Sequence, residues 1–150
     1  MFKLMRWLIV LLLAAPVFAE ATPEEVARTF YRWVQTNSEH DRERIAHQRE
    51  RLTPQLYAGL VQAFSYQPPH DFLDFDPWAN NQTGSTGYDV GRARIHGESA
   101  KLPVTVHVPG GGTSGYTLVM QHSAAGWQIS NLVYAPGFNL VRMLKEINKR

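Results

Sequence analysis

The sequence predicts an α+β domain: N-terminal helices packed on a curved antiparallel sheet of about four strands, closed by a short C-terminal helix. Three observations carry this. Apolar residues recur at helical spacing from Val26 to Phe64. From Tyr88 the period changes to two and holds through four short runs. The connections between those runs are too short for parallel crossovers, so the strands form a meander.

The chain opens with a leader. Lys3 and Arg6 give a positive start, Trp7 to Ala15 is apolar, Pro16 breaks it, and Val17-Phe18-Ala19 fits a signal-peptidase site. The apolar run is shorter than the roughly 20 residues a membrane span needs. Residues 1–19 are therefore expected to be a signal peptide and residues 20–150 the mature domain, periplasmic or secreted, with no span left after processing. No cysteine follows the apolar run, which excludes a lipid-anchored variant of the signal.

Of the 15 Lys and Arg, Lys3 and Arg6 belong to the leader, so the mature chain has as many bases as its 13 acids. That balance argues against nucleic acid or an anionic membrane as partner. The absence of cysteine excludes thiol catalysis, Cys-ligated metal and redox chemistry, and leaves packing to hold the fold.

Thr22-Pro23-Glu24-Glu25 combines a cap, a proline where no N–H is needed and a capping box. Val26, Phe30, Trp33 and Val34 mark the buried face of the first helix. Asn37-Ser38 interrupts it, and a charged helix is expected from about Glu39 to Arg51, with Ile45 and Leu52 as its apolar content. Thr53-Pro54 repeats the cap-and-proline start. Leu56, Tyr57, Leu60, Val61 and Phe64 then give a broad apolar face. Ser65 to Gly87 is proline-broken and aromatic, too long for an idle connection.

The first strand is expected from Tyr88 to Ile95, ending at Gly97-Glu98. Leu102, Val104, Val106 and Val108 alternate in the second, and Tyr116, Leu118, Met120 and His122 in the third. Trp127 to Tyr134 forms the fourth, with Trp127 and Ile129 facing the helices. Gly110-Gly111-Gly112 reads as a hairpin loop. It opens no helix, so it is no phosphate cradle. Leu140, Met143, Leu144 and Ile147 mark the closing helix. Helices folded on one face of a curved sheet make a cone with an open mouth, a natural pocket.

Three segments resemble a family of exported bacterial domains of unknown function with the cystatin-like cone fold of the nuclear transport factor two superfamily. They are Pro23 to Trp33, Leu52 to Tyr57, and Asp74-Phe75-Asp76-Pro77-Trp78-Ala79-Asn80-Asn81-Gln82. The last is similar to that family's Asp-Pro-aromatic-x-Asn-x-Gln pattern, with Thr83 where the family commonly has Asp. Gly126 to Tyr134 adds a fourth likeness. The resemblance implies the cone fold and an extracytoplasmic site. Its relatives include enzymes, binding modules and inhibitors, so it implies no single activity.

The densest set of polar ligands is Asp71, Asp74 and Asp76 with Asn80, Asn81 and Gln82. It lacks the glycine and the later Glu of an EF-hand loop. Capping of local backbone by Asp76 or Asn80 is the plainer role, with Phe75 and Trp78 in the core. The candidate ligand-binding residues are His70, Asp74, Asp76, Trp78, Asn80 and Gln82, on the rim of the cone, with Trp78 inward and Asp76 held by backbone N–H groups. His40, His47, His70, His96, His107 and His122 have no zinc spacing, although His107 and His122 lie on neighbouring strands where they can face each other. No metal or cofactor is expected. The leading function is a non-catalytic binding module for a small ligand or an envelope protein, through the pocket or the open sheet face. An immunity protein or inhibitor, working through loops 65–87 and 109–115, is one alternative. An acid–base enzyme using Asp74 or Asp76 with His70 is another.

Overall fold

The computed structural model describes residues 19–36, 45–66 and 76–149. The leader to Phe18, the Asn37-Ser38 break, the first part of the charged helix, and His70, Asp71, Phe72, Asp74 and Phe75 lie outside them.

Helix α1 runs Pro23–Thr36. Its capping box forms: the Thr22 N–H donates to Glu25 Oε2 at 2.8 Å, and the Glu25 N–H donates to Thr22 Oγ1 at 3.3 Å. The buried stripe is Ala27, Phe30, Tyr31 and Val34. It is rotated from the expected one, because Val26 and Trp33 are only half-buried at its margin. The charged stretch ends in a 3₁₀ turn, Arg49–Arg51, rather than as α-helix. Helix α2 runs Pro54–Ala63, with Thr53 accepting from the Leu56 N–H. Helix α3 runs Leu140–Ile147, capped by Asn139 through the Arg142 N–H at 3.0 Å.

The sheet has six antiparallel strands rather than about four: β1 (Gly87–Val90), β2 (Arg94–His96), β3 (Ser99–His107), β4 (Thr113–Ser123), β5 (Gly126–Ala135) and β6 (Phe138–Asn139). The order is β1-β3-β4-β5-β6, with β2 also on β3. Two causes account for the difference. The expected Tyr88–Ile95 strand is broken at Gly91, whose backbone crosses directly over Pro103. A Cβ there would lie 2.6 Å from Pro103 Cγ. The Gly91 N–H still reaches the Pro103 carbonyl at 2.8 Å, but Ala93 turns its N–H to Glu24 Oε1 of α1, also at 2.8 Å. The second cause is the two-residue β6, which folds back on the end of β5.

Leu102 pairs with Leu118, Ala100 with Met120, and Leu118 with Leu132, so one face of β3–β5 is continuously apolar. Ile129 and Leu132 are both fully buried although three residues apart. A register shift between Val119 and Met120 reconciles them. Asn131 pairs with Val119 and Ile129 with Met120, leaving Ser130 as the extra residue. Ile129 thus faces the core, and Trp127 shares its face, half-buried beside His122. Helix α1 packs on β1 and β5, while α2 and α3 pack on each other and on β5. Gly110, Gly111 and Gly112 join β3 to β4 with φ of 85°, 96° and 93°, a left-handed run that side chains rarely adopt.

Gly91→Ala is expected to destabilise by about 1–3 kcal/mol, since the added methyl meets a rigid proline ring. Chemical denaturation checks this. An unchanged midpoint would mean that β1 and β2 do not cross Pro103 so closely.

Candidate functional site

The Asp76–Gln82 segment is a compact turn. Asp76 and Asn81 form an isolated antiparallel bridge, with the Asp76 N–H on the Asn81 carbonyl and the Asn80 N–H on the Asp76 carbonyl, both 2.8 Å. Asp76 Oδ1 accepts from the N–H groups of Trp78 at 2.8 Å and Ala79 at 3.2 Å. This is the Asx geometry that Asp favours before a turn, with Pro77 fixing the next φ. Asn80 has φ 55°, which asparagine tolerates better than other side-chain-bearing residues. Asn81 closes the far side by donating to the Ala79 carbonyl and accepting from the Thr83 N–H.

The turn is pinned to the sheet by phenols. Trp78 is fully buried, its ring edge-on to Phe30 at 5.1 Å. Tyr116 of β4 donates to the Trp78 carbonyl at 2.7 Å, and Tyr134 of β5 donates to the Pro77 carbonyl at 2.8 Å. The hydroxyls of Tyr31 and Tyr116 are 2.7 Å apart. Since the Tyr116 proton is used on Trp78, Tyr31 must donate to Tyr116. Tyr88 of β1 completes the group, its ring centroid 4.8 Å from that of Tyr31.

Burial pushes all four phenols up. Tyr31 and Tyr116 lie well above the ordinary value, and Tyr134 is raised by burial and then by the Asp76 carboxylate. Tyr88 is pushed up to about 12, chiefly by burial, with Asp76 adding to it. The Tyr88 hydroxyl makes no hydrogen bond of full geometry, although Ser85 lies near enough to offset part of the rise. The cluster is therefore a set of neutral donors around one carboxylate that already holds two amides. It fixes the turn, and its phenols stay protonated at neutral pH.

Of the residues expected at a ligand site, the structure brings Asp76, Trp78, Asn80 and Gln82 into this one turn. Trp78 faces inward and Asp76 is held by backbone N–H groups, in the geometry the Asp-Pro-Trp segment predicts. Trp78 has no surface left for a ligand. Asn80 is half-buried and Gln82 exposed. His70 and Asp74 lie outside the described residues. His107 and His122 do not face each other. His107 pairs with Thr113 at one end of the sheet and His122 with Trp127 at the other. Each meets an acid instead, His107 Nε2 with Asp89 at 2.6 Å and His122 Nε2 with Glu20 at 2.8 Å. Among the described residues, no three His, Asp or Glu side chains converge as a metal set.

A substantial hollow among the described residues lies elsewhere. On the solvent side of β4 and β5, a cleft of about 850 Å³ is lined by Val119, Gln121, Ser130 and Asn131 and walled by Thr53–Gln55 and Val141. Apart from His122, no ionisable side chain lines it. Some of its polar groups are already engaged. Gln128 donates to the Glu50 and Leu52 carbonyls, and Asn131 accepts from the Leu132 and Val141 N–H groups. Gln55 and Gln121 are the exposed amides. Sequence reasoning missed these residues. The one available signal was polar residues alternating with apolar ones along β4, which any half-buried strand shows.

Comparison with known protein families, curated proteins and solved structures finds no match. Among the described residues, no helix is long and apolar enough to cross a membrane.

Tyr116→Phe is expected to cost about 1–3 kcal/mol, because it strands the Trp78 carbonyl and the Tyr31 proton together. Tyr31→Phe removes only the first donor of the chain and should cost less. Denaturant midpoints of the two variants decide the order; equal costs would contradict the direction of donation.

A neutral phenol is the protonated form, and the fold holds that proton more tightly than the unfolded chain does. The stabilisation from Tyr31, Tyr88, Tyr116 and Tyr134 is thus complete below the ordinary value of 10.0 and declines as pH rises beyond it. Phenolate absorbance of these four should grow together with loss of circular dichroism, in one alkaline transition. Titration of all four with the dichroism intact would mean that they are not buried.

Proposed function

We propose that this protein is an exported, non-catalytic binding module of the cone-fold type that takes its ligand or envelope partner on the open face of the sheet. The observation that carries this is the cleft of about 850 Å³ over β4 and β5, almost free of ionisable side chains and edged by Gln55 and Gln121. Its size falls within the range of small-molecule sites. Uncharged amides and hydroxyls recognise neutral polar surfaces by directional hydrogen bonds at low desolvation cost. The mouth of the cone is the weaker candidate, since Trp78 and the phenols already occupy the space between α1 and the sheet. Export rests on the leader, with Glu20 as the first mature residue, and the superfamily relationship rests on the sequence resemblance and the helices-then-sheet order.

The test uses isotope-labelled protein beginning at Glu20, titrated with fractions of the host's envelope extract. Saturable amide shifts are expected at Val119, Gln121 and Ser130. Gln121→Arg should abolish them without moving the melting temperature. Shifts confined to residues 76–82 would transfer the site to the Asp-Pro-Trp turn, and no saturable shift with any fraction would remove the binding reading. Protein recovered from the host should have the intact mass of a chain starting at Glu20; a retained leader in the membrane fraction would overturn export.

A further inference from the structure

The outer face of the sheet continues past the cleft toward β2. A smaller hollow of about 350 Å³, lined by His96, Glu98, Ser99, Gln121 and His122, shares Gln121 and His122 with it. Cross-strand register sets the rows of this face. Arg94 stands opposite Lys101, Lys101 opposite Val119, and Val119 opposite Asn131. Residues directly opposite each other in paired strands point to the same side of the sheet. Ala100 and Leu102 are buried on the inner side, so Lys101 and Arg94 point outward, in line with the Val119 and Asn131 that line the cleft.

Two bases directly opposite each other make an unfavourable cross-strand pair, with Cβ atoms held about 4.5–5.5 Å apart. Arg94 and Lys101 are both exposed, and neither makes an ion pair among the described residues. The residues two positions away on their strands, His96, Ser99 and Pro103, include no acid. The acids of neighbouring segments are engaged. Asp89, opposite Thr105 on β3, pairs with His107; Glu20 pairs with His122; and Glu24 accepts from the Ala93 N–H. Glu98 belongs to the β2–β3 turn, on the side of Ser99 away from Lys101. The chain balances its charges as a whole, but this corner of the outer face is basic and costs repulsion to keep.

We infer that Arg94 and Lys101 form an oxyanion subsite of the sheet face, holding the phosphate or carboxylate group of a small ligand whose uncharged part lies over Val119, Gln121 and Asn131. The identity of that uncharged part rests on the sheet-face reading; the anion subsite does not. One anion between two cations replaces their repulsion by two attractions. The Arg94 guanidinium offers paired N–H donors that match two oxygens of a phosphate or carboxylate, and Lys101 adds a point charge. Glu98 repels an anion at the turn end of the smaller hollow, which directs it to the Arg94–Lys101 row. Both bases stand in solvent, so an anion reaches them with no change in the fold. The same exposure makes the subsite sensitive to salt.

The experiment is thermal unfolding of the chain from Glu20 at one low ionic strength, with chloride, acetate or inorganic phosphate as the anion and amide resonances followed in parallel. Phosphate is expected to raise the melting temperature saturably above its value in chloride, by mass action on the folded state, and to shift the amides of Arg94, Lys101 and Val119. Arg94→Gln and Lys101→Gln should each melt above the parent in chloride, because the repulsion is gone. Each should also bind phosphate more weakly, by about fivefold. Lys145→Gln, an exposed base on α3, should leave the phosphate effect unchanged. A saturable effect of acetate with none from phosphate would assign the subsite to a carboxylate. Phosphate and acetate effects no larger than that of chloride, an affinity unchanged in both glutamine variants, or amide shifts centred away from β2 and β3 would each overturn it. Phosphate binding here, with no envelope fraction shifting Val119 and Gln121, would remove the sheet-face reading and leave the anion subsite standing, so the two failures are distinguishable.

Discussion

The hydroxyl of Tyr116 is the joint on which the architecture turns. It accepts a hydrogen bond from Tyr31 on α1, donates one to the Trp78 carbonyl, and stands on β4 in the middle of the sheet. Helix, sheet and the 76–82 turn therefore meet at one oxygen. The two kinds of interaction there differ in magnitude and in task. Each hydrogen bond is worth about 1 kcal/mol net, while burying a tryptophan removes about 150–250 Å² from water, or about 4–6 kcal/mol at the usual coefficient. Burial of Trp78 supplies the driving force. The phenols of Tyr116 and Tyr134, on two adjacent carbonyls, decide where the turn docks. In a chain without cysteine no covalent link can substitute for that pair.

Local features of the fold were legible because they depend on neighbours in sequence. Thr22 and Thr53 start their helices through side chains three residues away, and both bonds form. The alternation from Leu102 to Val106 and from Tyr116 to Met120 placed the core face of the sheet. The misjudged features depend on residues far apart. Gly91 breaks its strand because Pro103 lies opposite, a fact of register that neither residue announces. The α1 stripe centres on Tyr31 rather than Trp33 because Tyr116 offers a hydrogen bond to a phenol, which periodicity alone does not weigh. Ile129 and Leu132 share a face only through the bulge at Ser130, whose hydroxyl donates to the Val119 carbonyl across the strand pair.

The same distinction governs the candidate site. Composition alone required an aromatic of the Asp-Pro-Trp segment to be buried, since such rings are costly in water, and Trp78 is. The acid beside it follows from Pro77, which holds Asp76 extended and ready to accept from the next N–H groups. The cleft had no such local signature. The sheet-face hollow exists where the Thr53–Gln55 chain and the start of α3 stand along the edge of β5 away from β4. It is produced by assembly, and the residues lining it look unremarkable in the linear sequence.

Filling the interior decides which hollows the resting fold leaves open. Between α1 and the sheet, Trp78, four phenols and a carboxylate bound to two backbone N–H groups form a packed wall. Opening that wall would break the Tyr116 and Tyr134 bonds and expose a tryptophan, several kcal/mol against any ligand before contact is made. The outer sheet-face cleft carries no such penalty, because it exists in the resting fold. Packed interior and preformed exterior are thus two sides of one arrangement: the aromatic cluster that fills the space between α1 and the sheet also ties the 76–82 turn to β4 and β5, whose outer face shapes the cleft.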